Sequence, residues 1–156
     1  MKLVKREGQG FLFQLDKREK QLLLGVLNEY PVQATAFPLS KSIAREEIDE
    51  DQRLLEEALA EQRAENKRRL RAFLREKDRF AAEKDAWQFR IANMEMEWLL
   101  QVLNDIRVGS WIKLGSPDPG KSREMTVDET TVRHLWSMEL AANFQMDLLR
   151  AADGRH

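Results

Sequence analysis

The chain of 156 residues contains no cysteine, and that one absence removes disulfides, thiolate nucleophiles and cysteine-ligated zinc or iron–sulfur centres together. Histidine is nearly as scarce, with only His134 and His156. Neither a Glu-x-x-His pair of the di-iron bundle type nor an H-E-x-x-H zinc helix occurs, and no G-x-S-x-G offers a serine nucleophile. No metal or cofactor is therefore expected, an enzyme is disfavoured, and His134 beside Trp136 reads as an ordinary helix residue. No eighteen apolar residues follow one another, and the opening MKLVKREGQG carries no apolar segment of signal-peptide kind. Both point to a cytoplasmic protein without membrane contact. The net charge of −1 argues against a strongly basic nucleic-acid binder.

What is present is the composition of a helix-rich globular protein: 42% hydrophobic and 34% charged residues, too apolar for a disordered chain. A chain of this length buries roughly 70% of its unfolded surface, so a single domain over residues 1–153 is the simplest organisation.

KLVKRE and FLFQL flank EGQG, a glycine-containing connection between two strand-like runs, which predicts a β-hairpin with Phe11, Phe13 and Leu15 on one face. Asp16 caps the next helix, answered by Glu19 three residues on, and Pro31 ends it near Tyr30. Residues 31–43 hold two prolines and read as a loop. From about Asp49 to Phe80 the spacing of Leu55, Leu59, Leu70, Phe73, Leu74 and Phe80 is helical. Its middle, EQRAENKRR, is polar nearly all round and is expected to project into solvent. WQFRI alternates as a strand does, and ETTVRHLWSMELAANFQMDLLRAA, from about Asp128 to Ala152, carries apolar residues on an arc wide enough to predict deep packing. Met94, Met96, Met138 and Met146, with Trp98 and Phe144, read as core filler.

FLFQLDKREKQLLLGVLN (11–28) aligns without gaps to WQFRIANMEMEWLLQVLN (87–104), 76 residues later, with seven identities in eighteen positions. Average residue usage would give about one or two. The identities include Phe13/Phe89, Glu19/Glu95, Leu23/Leu99 and Asn28/Asn104. The spacing predicts an internal repeat, 11–80 and 87–152. The expected fold class is α+β, mainly α: duplicated strand–helix–loop–helix units with an N-terminal β-hairpin and a small antiparallel sheet.

Three constellations carry chemistry. GSPDPGKS, residues 115–122, satisfies the phosphate-loop expression G-x-x-x-x-G-K-[ST] and nominates Gly120, Lys121 and Ser122. Its context is wrong: the preceding segment reads as helix rather than strand, none starts until about Asp128, and no parallel sheet is visible. An exposed turn, with Gly115 and Pro117 ending a helix, is the better interpretation. Arg63, Lys67, Arg71 and Arg75 lie in one i, i+4 row within a basic run that extends to Arg79. The helix begins acidic, so the charges complement its dipole. An acidic protein partner suits the row better than nucleic acid, because no aromatic residues are interleaved.

The third constellation interrupts the apolar segment LLQVLNDIRVGSW. Asn104, Arg107 and Trp111 share one side of a helix, so Arg107 can bond the Asn104 amide and lie over the Trp111 ring. Asp105 points about 100° away, toward Gln101 and Gly109. The matching Asn28–Glu29 pair sits at a helix end before Pro31, whereas the second segment has no proline and continues to Leu114. One explanation is architectural, an end pair carried into a longer helix whose polar groups satisfy a packed loop; the other is a ligand or partner contact.

LNDIRVGSWIKLG, residues 103–115, resembles the L-N-D-x-R-x6-L-G signature of an uncharacterised bacterial family, domain of unknown function two-thousand-seventeen, through Leu103, Asn104, Asp105, Arg107, Leu114 and Gly115. Trp98 and Trp136 resemble tryptophans of its preceding segment and final helix. The resemblance implies no activity; its members are often encoded near an adaptor of the Clp protease, which implies an interaction role. The functional expectation is a non-catalytic cytoplasmic protein-interaction or adaptor module that binds a protein partner or itself. The alternatives are nucleotide binding at 115–122 and nucleic-acid binding through residues 63–79.

Overall fold

The computed structural model describes residues 1–32, 45–115 and 128–154. Strands β1 (Lys2–Glu7) and β2 (Gly10–Leu15) form the hairpin, and α1 (Lys17–Asn28) follows at once. Asp16 Oδ1 accepts from the Glu19 amide at 2.7 Å while Glu19 Oε2 accepts from the Asp16 amide at 2.9 Å, the capping box the sequence predicts. Then come α2 (Arg45–Arg75), β3 (Phe80–Ala82), β4 (Trp87–Ala92), α3 (Asn93–Lys113) and α4 (Glu129–Ala152). The molecule is α+β and mainly helical, with one antiparallel sheet in the order β1-β2-β4-β3.

At the centre of that sheet β2 pairs with β4 so that Phe13 lies opposite Phe89, Phe11 opposite Ile91 and Leu15 opposite Trp87. Facing residues share a side of the pleat, and Phe11, Phe13, Leu15, Phe89 and Ile91 are all buried. Gly10 is obligatory at this seam, since a Cβ there would lie 2.5 Å from the Ile91 carbonyl oxygen. Leu23, Val26 and Leu27 of α1, Leu99, Val102, Leu103 and Ile106 of α3, and Ala141, Phe144 and Leu148 of α4 pack into the same cluster. None of the described helices is long and apolar enough to cross a membrane.

The structure departs from the sequence expectations at four places. The helix forecast to reach Phe80 stops at Arg75; Asp78 turns the chain at φ 66°, and Phe80 enters β3, its ring stacked 4.8 Å from that of Phe89. The polar middle of α2 is not free all round: Arg63, Asn66 and Lys67 are half-buried while the other six residues of 61–69 are exposed, and the exposure continues back over residues 49–60 apart from half-buried Gln52. In α4 one face is packed, yet Trp136 remains 55% exposed, and Val132 one turn before it and Met146 and Leu149 further along the helix are exposed as well. Met96 is buried as expected, whereas Met94 and Met146 are exposed.

Candidate functional site

A groove of about 550 Å³ runs between α2 and α3 and is closed at one side by the chain leaving α1. Leu23, Val26 and Leu27 seat α1 in the core, which brings Tyr30, buried, to the junction. The Trp98 indole N–H donates to Asn66 Oδ1 at 3.3 Å, and Asn66 Nδ2 donates to the Tyr30 hydroxyl at 3.2 Å. This relay ties α2 to α3 and to the end of α1 at the inner end of the groove. Burial pushes the Tyr30 phenol above its ordinary value; the Asn66 hydrogen bond opposes this, the Asp105 charge adds to it, and Arg63 counters.

Val32 crosses α3 at Gly109, where a Cβ would stand 2.9 Å from Val32 Cβ. Gly109 is therefore the place where two backbone segments meet. Around it the groove is lined by Arg63 and Leu59 from α2 and by Asn104 and Asp105 from α3. Burial raises the Asp105 carboxyl above its ordinary value, with the Arg63 guanidinium pulling the other way. Chemically the groove offers one cation, the two carboxylates of Glu97 and Asp105, a phenol and amides between apolar walls.

Of the sequence-nominated residues, the structure brings Arg63 together with Asn104 and Asp105. The expected bond from Arg107 Nη2 to Asn104 Oδ1 forms at 2.8 Å. Arg107 and Trp111 are exposed and do not line the groove, and Lys67, Arg71 and Arg75 lie along α2 away from it. Gly120, Lys121 and Ser122 lie outside the described residues. Gly115, at the head of that motif, sits at φ 88° and ends α3 with its amide on the Ile112 carbonyl at 2.9 Å.

Sequence reasoning missed Arg79, placing it in the basic run. It is 5% exposed. Its guanidinium takes both Glu95 oxygens at 2.7 Å, the carbonyls of Arg90 at 2.6 Å and Phe73 at 2.9 Å, and Glu76, while lying over the Phe73 ring. A planar fork meeting a carboxylate in this way is the strong form of ion pair. Burial tends to raise Glu95, but hydrogen bonds from Arg79 and the Ala92 amide and the charges of Arg79 and Arg69 outweigh it, holding the carboxyl below its ordinary value. The available signal was the Glu19/Glu95 identity, a glutamate retained where the capping aspartate is not.

Among the described residues no cluster of histidine, aspartate or glutamate is placed to hold a metal ion. A scan against protein-family models finds no match, and searches of curated proteins and of solved structures find no similar protein.

Proposed function

We propose that the chain is a non-catalytic protein-interaction or adaptor module of the bacterial cytoplasm, a member of the family whose L-N-D-x-R-x6-L-G signature it resembles. The observation that carries this reading is the outer half of α2, where Leu54, Leu55 and Leu59 are 54%, 56% and 38% exposed on an otherwise charged rod. Apolar side chains grouped on a protruding element mark contact surfaces. The adjoining groove, with Arg63 and Asp105 between apolar walls, gives a docked segment both desolvation and polar orientation.

We also infer that the architecture arose by doubling one unit. In support, the residues that align in sequence, Phe13 and Phe89, are those that face each other at the sheet centre, with Phe11↔Ile91 and Leu15↔Trp87 disposed evenly about them. A two-fold relation between like strands produces this register. Each strand of the pair is preceded by its own antiparallel partner and followed by a helix.

The test is capture from a native lysate with wild type and with a triple charge reversal at Arg63, Arg71 and Arg75. Loss of specific partners from the variant supports the assignment; identical partner lists for the two proteins remove this surface from it.

A further inference from the structure

We propose that the outer half of α2 pairs with the same segment of a second copy of this chain, the two helices running antiparallel about a two-fold axis. This rests on the interaction reading above and names the partner. Residues 49–62 form a rod about 20 Å long at 1.5 Å per residue, exposed throughout apart from half-buried Gln52. Ala58 lies one turn from Leu54 and beside Leu59, so Leu54, Leu55, Ala58 and Leu59 make one continuous apolar patch.

The charges identify its cover. Before the centre of the helix stand Asp49, Glu50, Asp51, Glu56 and Glu57 with Arg53 among them; beyond it stand Arg63, Lys67, Arg68, Arg69, Arg71 and Arg75 with Glu61 and Glu65. A parallel copy sets acid beside acid and base beside base. An antiparallel copy sets each acidic half against a basic half, so the helix is complementary to itself in that orientation alone. The same division of charge suits the helix dipole, but the dipole does not account for leucines held in water. A two-fold axis across the patch satisfies both observations, because an isologous contact uses one surface twice and buries the leucines of both copies at its centre. The seam is short, below the size of an obligate interface, so the dimer is reversible and concentration-dependent.

Sedimentation equilibrium of the wild-type chain across a wide concentration range should show monomer and dimer, with the dimer favoured as salt is lowered. Leu54→Glu combined with Leu55→Glu should leave only monomer at every concentration, with unchanged helical circular dichroism and Tm because neither side chain lines the groove or joins the core. The absence of native cysteine permits an orientation test with a thiol-reactive cross-linker. A mixture of Asp51→Cys and Gln62→Cys chains, residues that an axis through the patch sets opposite each other, should link through a short reagent, whereas Asp51→Cys alone should not. A wild type that stays monomeric, a dimer that survives the leucine substitutions, or cross-linking of Asp51→Cys to itself would each overturn the proposal. A monomeric wild type whose lysate partners still depend on Arg63, Arg71 and Arg75 would end self-pairing and leave the interaction reading in place.

Discussion

Helices α1 and α3 start from the same sheet by the same route and are secured by different means. At α1 the cap is local and reciprocal, Asp16 with Glu19. At α3 alanine occupies the position of Asp16, and only half of the box survives, the Glu95 carboxylate accepting from the Ala92 amide at 2.8 Å. The missing half is replaced from a distance, because Glu95 also receives the buried fork of Arg79. Their ends differ as well: α1 stops after Asn28, while α3 passes the matching Asn104 and runs on to Lys113 beneath Val32. A local cap depends on neighbours in sequence and fails alone; a clasp formed at long range binds several elements and fails with all of them.

Breaking the clasp is therefore the severest test of that contrast. Arg79→Met should cost about 3 kcal/mol or more, since it leaves Glu95 partly buried without its cation and removes the guanidinium bonds to the Phe73 and Arg90 carbonyls. The shift in the urea midpoint would measure it. Because the Glu95 carboxyl is held below its ordinary value of 4.5, its share of stability is present above that value and is lost as pH falls through it toward the lower folded value. The gap between wild type and Arg79→Met should accordingly narrow below about pH 4.5. A gap independent of pH would show that the ion pair is not its source.

The helix bodies offer a second contrast, in which one substitution takes opposite signs. Gly109→Ala forces a methyl group to within 2.9 Å of Val32 Cβ and 3.0 Å of the Val32 carbonyl oxygen. Overpacking of this kind should outweigh the gain in helix propensity and cost about 1–2 kcal/mol. Gly25 of α1 has no neighbouring atom within 4 Å of the same construction, so Gly25→Ala should stabilise by up to about 1 kcal/mol. Thermal unfolding of the two variants side by side decides it, and a gain at both positions would mean that α3 and the Val32 segment separate readily.

Exchanging the caps sharpens the comparison further. Asp16→Ala should lose about 1 kcal/mol. Ala92→Asp supplies the absent acceptor at a position whose backbone is already extended, at φ −72° and ψ 152°, and should gain up to about 1 kcal/mol. Equal and opposite changes in Tm are the expected outcome; no gain from Ala92→Asp would mean that the Arg79 clasp already satisfies the start of α3.

What the sequence disclosed follows the same division between local and distant causes. The hairpin, the Asp16 box, the alternation of WQFRI, the end of α3 and the limits of α4 are all written within a few residues of where they act, and each appears where expected. Strand β3 was illegible because FAA is too short to alternate and continues the helical spacing of Leu70 and Phe73. Arg79 was illegible because its charge resembles that of its neighbours on the preceding helix, while its burial depends on Glu95 sixteen residues later. Asn66 sits in a polar run that looked solvated, and only the approach of Trp98 and Tyr30 makes it internal. The groove is built from four separated segments, so its polar residues were visible individually but Arg63 and Asp105 could not be joined.

The smallest effect bears most directly on that groove. Asn28 and Glu29 end a helix, whereas Asn104 and Asp105 lie inside one and face a cleft in which burial raises the Asp105 carboxyl. For an acid whose folded pKa is raised, the ionised form is the less stable one in the fold, so stability falls as pH rises through the unfolded value toward the folded one and remains lower above it. Asp105→Asn should then stabilise the protein at neutral pH by a few tenths of a kcal/mol, the scale of partly exposed charges. The advantage should vanish on acidification below about pH 4, the ordinary carboxylate range. Glu29→Gln provides the contrast, because Glu29 accepts from Arg133 at 2.7 Å and its loss can only weaken the fold. A stabilising Asp105→Asn that also diminished partner capture would mean that the carboxylate is kept in the groove for contact, at the expense of the fold. A stabilising change that left capture intact would return Asp105 to architecture.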